Sequence, residues 1–162
     1  MDPNVSARRD LLRHTVATLA YRGGKALRGA PSGFSEFKAG ATSRTAGEIL
    51  AHLCDLLDRG LSLAEGSQKW QESKPRSWDE DVRRFHDALA AFDQRLAMDA
   101  DLGSPPERLF QGPVADALTH VGQIAFLRRL AGEPMKGENY HKAEITPGRV
   151  DADQAKPRFE FD

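Results

Sequence analysis

The sequence has little cysteine: Cys54 is the only one among 162 residues. One cysteine cannot form an intrachain disulfide, and a zinc cluster built from cysteine thiolates is excluded as well. Cys54 could still pair with its copy in a second chain. This cysteine usage is typical of a reducing compartment, so we expect a cytoplasmic protein.

Net charge and long apolar runs are also missing. The chain has 23 Lys and Arg against 24 Asp and Glu, a formal charge of −1, and charged residues interrupt every apolar stretch well before the about 18 residues that span a bilayer. We therefore expect neither a nucleic acid nor a membrane as partner. The 40% of apolar residues suffices for one hydrophobic core, so residues 1–162 are predicted to form a single domain.

Sustained strand alternation is absent too, and apolar residues recur at spacings of three and four. Thr45 with Glu48, and Ser77 with Glu80, have the spacing of a helix capping box. The pattern predicts an all-α protein, an up-and-down four-helix bundle. The first three predicted segments are 3–27, 45–66 and 77–96, and the glycines at 23 and 24 could shorten the first. The fourth starts after Pro106, restarts at Pro113 and ends at Gly132.

Two regions between and after these helices lack helical periodicity. The Gly29–Ser43 loop carries Phe34 and Phe37, which we expect to pack against the helices. Residues 133–162 contain three prolines and a Pro147-Gly148 turn signal. We interpret this stretch as an irregular tail packed on the domain.

The last segment carries polar residues on a helix that should be heavily buried. Asp116, His120 and Gln123 lie at i, i+4 and i+7, within one stripe of about 60°. A buried carboxylate and imidazole need partners. One interpretation is an Asp116–His120 pair within the helix; the other is a metal site, because this spacing can direct an oxygen and a nitrogen at one ion.

Two ligands do not hold a metal, and His52 is the best candidate for a third. It lies beside the apolar face of the second segment, roughly in line with Ile49 and Leu56. A histidine hydrogen-bonded in the core is the competing interpretation. Asp55, three residues later, could accept a hydrogen bond from the His52 ring. His14 is expected to be exposed and His86 partly exposed.

With these residues in place, the chain resembles the DinB/YfiT-like metalloenzyme family, which is distinct from the DNA polymerase that shares the name. The motifs that carry the resemblance are Thr45-Ala-Gly-Glu-Ile-Leu-Ala-His52-Leu in the second segment and, in the last, Asp116-Ala-Leu-Thr-His120-Val-Gly-Gln-Ile124 followed by Leu127-Arg-Arg-Leu-Ala-Gly132. The tail segments Asn139-Tyr140, Gly148-Arg149-Val150 and Phe159–Asp162 are also similar to tails in this family.

The resemblance implies a divalent ion held by a histidine of the second helix and two residues of the last. Here these positions are His52, Asp116 and His120, so a His₂Asp set replaces the family's usual three histidines. Zinc or nickel is the expected metal, with manganese or iron as further options. Gln123, one turn beyond His120, is a candidate to orient a bound water.

The function implied by the resemblance is a metal-dependent, thiol-dependent S-transferase or hydrolase. Its partners would be a small-molecule substrate or a low-molecular-weight thiol, and the chain would form a homodimer. The alternative is a non-catalytic dimeric interaction module with a structural Asp116–His120 pair and no metal. A DNA-reading helix ending at Arg128 and Arg129 is disfavoured by the near-neutral charge.

Overall fold

The computed structural model describes residues 3–161, and this part of the chain is mostly helical, as the sequence predicts. Four long α-helices are joined by connections that contain one short α-helix. Residues 3–161 also contain two 3₁₀ helices, Phe34–Glu36 and Tyr140–Lys142, and one two-stranded sheet. The bounds of the α-helices and strands are α1 Pro3–Leu27, α2 Ala46–Ala64, α3 Trp78–Ala97, α4 Pro106–Leu109, α5 Ala115–Leu130, β1 Gly137–Glu138 and β2 Glu160–Phe161.

Capping boxes start α2 and α3, as predicted. The Thr45 hydroxyl accepts a hydrogen bond from the Glu48 N–H, and the Glu48 carboxylate accepts one from the Thr45 N–H. Ser77 and Glu80 make the same reciprocal pair. Each box satisfies two backbone N–H groups that have no partner inside the helix, which fixes where the helix begins.

Helix α1 continues through Gly23 and Gly24 and ends at Leu27. A Cβ atom at position 23 would lie 2.5 Å from Cζ of Phe85. The glycine therefore allows the buried Phe85 ring of α3 to approach the α1 backbone, and this contact outweighs glycine's low helix propensity.

The fourth segment does not restart at Pro113. The chain is helical from Pro106 and passes through a π-helical turn, Phe110–Val114, that contains Pro113. Proline has no N–H to donate to the preceding turn. The π-helical turn accommodates this missing donor, and the helix continues into α5.

Helices α2 and α3 run in the same direction. Asp55 of α2 pairs with Arg84 of α3, and farther along both helices Gly60 lies against the Phe92 ring. The connection from Glu65 to Ser77 has 13 residues. Thirteen residues can span roughly 43 Å, whereas α2 is about 28 Å long, so this connection can return along the whole helix.

Helix α1 packs against α3 and α5. It is antiparallel to α3, because Arg9 near its start contacts the Met98 carbonyl after α3, and its last residue, Leu27, contacts Trp78 at the start of α3. It is parallel to α5, because the Ala26 carbonyl meets Arg128 near the end of α5. The directions are therefore up, down, down and up, and the predicted up-and-down order is wrong at the step from α2 to α3.

The Gly29–Ser43 loop packs against the helices, as predicted. Phe34 is 3% exposed and Phe37 is partly buried against the core. The Phe34 ring meets the Trp78 ring edge to face at 5.2 Å between centroids. The Ala46 N–H at the start of α2 donates a hydrogen bond to the Phe37 carbonyl. The loop is therefore anchored against α2 and the start of α3.

The tail is more ordered than predicted. Strands β1 and β2 pair antiparallel, with Gly137 opposite Phe161 and Glu138 opposite Glu160. Glu138 carries its carboxylate into contact with α1, where it accepts hydrogen bonds from the Tyr21 hydroxyl at 2.6 Å and the Lys25 ammonium at 2.7 Å. Buried ionic contacts, and not apolar periodicity, fix this part of the chain.

Cys54 lies in the core and is fully buried. Burial raises the pKa of its thiol to about 12, and Sγ lies 3.5 Å from the Asp81 carbonyl oxygen. The folded protein therefore does not present this thiol to a second chain, contrary to the interchain pairing considered above.

We expect Cys54 to be unreactive towards a disulfide reagent such as DTNB in the native protein, because the attacking thiolate is neither formed nor accessible. The measurement is release of the coloured thiolate at pH 8, without and with denaturing guanidinium chloride. One thiol should appear only in denaturant; complete modification of native protein within seconds would show that Cys54 is exposed.

No helix within residues 3–161 combines the length and apolar character needed to cross a membrane.

Candidate metal centre

Helices α2 and α5 bring three potential metal ligands together. His52 projects from α2, and Asp116 and His120 project from α5; one ligand atom from each lies within 4.8 Å of the others. The centroids of the two imidazole rings are 4.8 Å apart. His52 thus meets two residues that lie 64 and 68 positions later in the sequence.

A local hydrogen bond sets the tautomer of His120. Its Nδ1 lies 2.8 Å from the Asp116 carbonyl oxygen, and because a carbonyl only accepts, Nδ1 is the protonated nitrogen of the neutral ring. The lone pair then lies on Nε2. A backbone hydrogen bond of this kind is typical of imidazoles that bind metals through the other nitrogen.

Asp116 is exposed, and α5 is only partly buried, which corrects the expectation of a heavily buried helix. Phe126 and Leu130 of α5 are 58% and 49% exposed. The Asp116 carboxylate needs no partner to offset burial, since its side chain is 48% exposed; its Oδ1 lies 3.3 Å from Nδ1 of His120. The intrahelical pair and the three-ligand cluster are therefore both present in one arrangement.

The neutral form of His52 is favoured. Its pKa is lowered, first by burial and then by repulsion from His120 and the Arg44 guanidinium. A neutral imidazole offers a lone pair, whereas an imidazolium does not. The site thus favours the protonation state that binds a cation.

Asp55 does not serve the His52 ring, contrary to expectation. Its carboxylate accepts hydrogen bonds from the N–H and hydroxyl of Ser73, both at 2.7 Å, and from Arg84 at 2.6 Å. These contacts hold the 65–77 connection against α2. The same connection places the Trp70 ring edge to face with His52 at 5.9 Å between centroids.

A cavity of about 540 Å³ opens beside the two histidines. Its volume lies within the range typical of small-molecule sites. It is lined by Ala39, Ser43, Arg44, Ile49, His52, His120, Gln123, Phe126 and Leu127. The Gly29–Ser43 loop thus forms one wall, and exposed Gln123 lines the cavity next to His120.

Sequence reasoning missed Arg44, Trp70 and Phe126 as residues around the site. Arg44 directly precedes the cap residue of α2 and lies about two turns before His52. Its place near the site could therefore have been inferred from the sequence. Trp70 lies in an irregular connection, where periodicity says nothing about contacts. Phe126 lies on the helix that the sequence predicts to be heavily buried, and it is 58% exposed.

The remaining candidates lie away from this cluster. His14 is exposed, as expected, whereas His86 is only 8% exposed and its Nδ1 lies 3.0 Å from the Val150 carbonyl oxygen. Arg128 is buried and donates hydrogen bonds to carbonyls including those of Ala26 and Gly29. Arg128 is therefore not available to read DNA.

Comparison with known proteins identified no matching family model, no matching curated protein and no matching solved structure. The site is defined by the arrangement of His52, Asp116 and His120 beside a cavity.

Proposed function

We propose that the chain is a divalent-metal-dependent enzyme in which His52, Asp116 and His120 hold the ion. The observation that carries the proposal is the convergence of one ligand atom from each of these residues within 4.8 Å, at the wall of a cavity of about 540 Å³. Three protein ligands beside an open cavity are the usual arrangement of a catalytic metal site, where a fourth position is left for substrate or water.

The donor set fits a divalent ion. Tetrahedral ligands at about 2.1 Å from an ion are about 3.4 Å apart, less than the 4.8 Å span of the cluster. Small rotations of the three ligand side chains would reduce this span. Two imidazoles and one carboxylate suit zinc, nickel, manganese or ferrous iron, and we propose zinc or nickel.

The proposed reaction class is thiol-dependent S-transfer or hydrolysis. A bound divalent ion lowers the pKa of a thiol or water in its open position and so supplies a nucleophile at neutral pH. The hydrogen bond to the Asp116 carbonyl would hold the His120 ring in orientation, and Trp70 would limit access of solvent to His52. Gln123 could orient a water in the cavity.

The proposed architecture is a single four-helix bundle of the DinB/YfiT-like family, with the directions described above. The support for it is that α1 and α2 each pack against both α3 and α5, together with the histidine and Asp116–His120 motifs. A small-molecule substrate or low-molecular-weight thiol would be the partner, and a homodimer the assembly.

Metal content tests the proposal. Untagged protein, dialysed mildly and analysed by elemental mass spectrometry, should contain about one divalent ion per chain. His52→Ala, Asp116→Ala and His120→Ala should each lose it, because two remaining ligands bind a divalent ion weakly. His14→Ala is the matched control, since that histidine is exposed and outside the site, and it should retain the metal.

Tryptophan fluorescence gives a second readout. Trp70 contacts His52, so Ni²⁺ titrated into metal-free protein should quench emission in the wild type and much less in Trp70→Phe. Absence of metal in purified wild type, with no uptake of zinc, nickel, manganese or ferrous iron, would refute the proposal. Equal metal content in wild type and all three alanine variants would also refute it.

A second candidate function is a non-catalytic dimeric interaction module. It is favoured by the Asp116–His120 pair, at 3.3 Å, and by exposed Phe126 and Leu130, one turn apart on α5. In that case the protein would be metal-free, and its dimerisation constant, measured by analytical ultracentrifugation, would not respond to chelator.

A further inference from the structure

Arg44 is a cation without a counter-ion at the edge of the site. It lines the cavity together with His52 and His120 and is exposed. Within residues 3–161 no ion pair or hydrogen bond occupies its guanidinium. The nearby Glu48 carboxylate instead accepts a hydrogen bond from the Thr45 N–H at 2.7 Å, as part of the cap of α2.

The capping box also fixes the position of Arg44. Because Thr45 and Glu48 hold the first turn of α2, the residue just before the cap has a defined place relative to His52 on the same helix. The box fixes the backbone at Arg44, and its unpaired guanidinium at the cavity edge is suited to bidentate binding of a carboxylate.

The charge around the cavity favours an anionic ligand. No aspartate or glutamate is among the residues that line it, and Arg44 is the lining residue with a permanent charge. A divalent ion held by two neutral histidines and Asp116 would add a net positive charge. Glu48 and Glu72 line a neighbouring cavity with Arg44 and do not line this one. The positive charge among the residues that line the cavity attracts anions.

Part of the cavity wall is apolar. Ile49 and Leu127 are buried, and Phe126 exposes more than half of its surface. An inorganic anion would make no use of this wall, whereas an organic anion with a short hydrocarbon body would cover it.

We propose that the cavity binds a small organic carboxylate, with the carboxylate on Arg44 and the apolar body against Phe126. This inference rests on the proposed function, since the bound carboxylate would be the handle by which the metal enzyme recognises its substrate. It makes Arg44 a specificity-determining residue, although it is not a metal ligand.

The test measures the binding of three probes of equal length, hexanoate, hexanamide and hexylamine. NMR chemical-shift titration monitors the binding. It is done on metal-free protein and on zinc-loaded protein. Hexanoate should bind best, with shifts at residues around the cavity. Arg44→Gln should weaken hexanoate binding about five- to tenfold, the loss typical of a charge-assisted hydrogen-bonded pair at a partly open site.

Arg129→Gln is the matched control: this arginine is exposed on α5 and does not line the cavity, so its loss should leave hexanoate affinity unchanged. Circular dichroism should show that both variants are folded. Inorganic phosphate serves as a fourth probe and should bind more weakly than hexanoate.

The outcomes separate the inference from the proposed function. Failure to bind zinc, nickel, manganese or ferrous iron, together with Arg44-dependent hexanoate binding, would refute the metal enzyme and support the carboxylate site. The carboxylate site alone would be overturned if the protein bound zinc but bound hexanoate no more tightly than hexanamide. The same holds if the protein bound zinc and Arg44→Gln bound hexanoate with wild-type affinity. Phosphate binding as tight as that of hexanoate, or no binding of any probe, would overturn it as well.

Discussion

Replacing Asp55 by asparagine is expected to lower the free energy of unfolding by about 3–5 kcal/mol, as is typical when one partner of a buried ion pair is removed. The Asp55 side chain is 1% exposed and that of Arg84 is 12% exposed. Asparagine would leave the guanidinium partly buried without its main counter-ion. The measurement is chemical denaturation followed by far-ultraviolet circular dichroism.

Asp58→Asn is the matched control. Asp58 lies on the same helix and pairs with the same Nη2 atom of Arg84, at 2.7 Å, but its side chain is 38% exposed. Because water already solvates it, we expect a loss below about 1 kcal/mol. Equal destabilisation by the two substitutions would show that burial does not control the strength of this network.

Acid should abolish the difference between wild type and Asp55→Asn. Burial alone would raise the pKa of Asp55, but hydrogen bonds from Ser73 and Arg84 outweigh burial, and the pKa lies below its ordinary value of 3.8. The charged carboxylate therefore stabilises the folded state fully above pH 3.8, and this stabilisation is lost as the pH falls through the lower, folded pKa. The two unfolding free energies should converge only below about pH 3.8.

Glu138→Gln is expected to have an effect of similar size, about 3–5 kcal/mol, at the other end of the chain. The Glu138 side chain is fully buried and that of Lys25 is 6% exposed. Glutamine could still accept the hydrogen bond from Tyr21, but it would leave the buried ammonium with Glu160 as its charged partner. Denaturation midpoints measured at constant m-value report this loss.

Two further variants test the cause. Glu160→Gln removes the second carboxylate that pairs with Lys25. The Glu160 side chain is 33% exposed, so this substitution should destabilise the protein much less than Glu138→Gln. The double variant Lys25→Met/Glu138→Gln should recover part of the loss caused by Glu138→Gln, because it also removes the unpaired charge. The single variant Lys25→Met completes the comparison. If the loss of stability in the double variant equalled the sum of the losses in Lys25→Met and Glu138→Gln, the charge pair would not be the cause.

Local signals in the sequence predict local structure well here. Thr45 with Glu48, and Ser77 with Glu80, satisfy backbone donors within one turn, so the starts of α2 and α3 depend on neighbours along the chain. The ligand spacing on α5 is equally local, since four residues form one turn. The contact between His52 and His120 is not local. The sequence shows only that each histidine lies on a helix face that could meet the other.

The features that were predicted wrongly depend on contacts distant in sequence. The direction of α3 relative to α2 depends on how the 65–77 connection folds back, and the bond between Asp55 and Ser73 that holds it carries no periodic signal. Strands β1 and β2 are two residues each, too short for alternation to be visible. Apolar residues such as Phe126 and Leu130 lie around much of α5, and only packing against the other helices determines that these two are exposed.

The parallel arrangement of α2 and α3 has a consequence for folding kinetics. Neighbouring antiparallel helices can form contacts across a short hairpin, whereas these helices meet only after a chain segment has returned along α2. The contact between Lys25 and Glu138 joins residues 113 positions apart. Such contacts raise the contact order. The chain entropy lost on closing these loops must be overcome before the stabilising contacts form. We therefore expect this protein to fold more slowly than a helical hairpin protein of the same length.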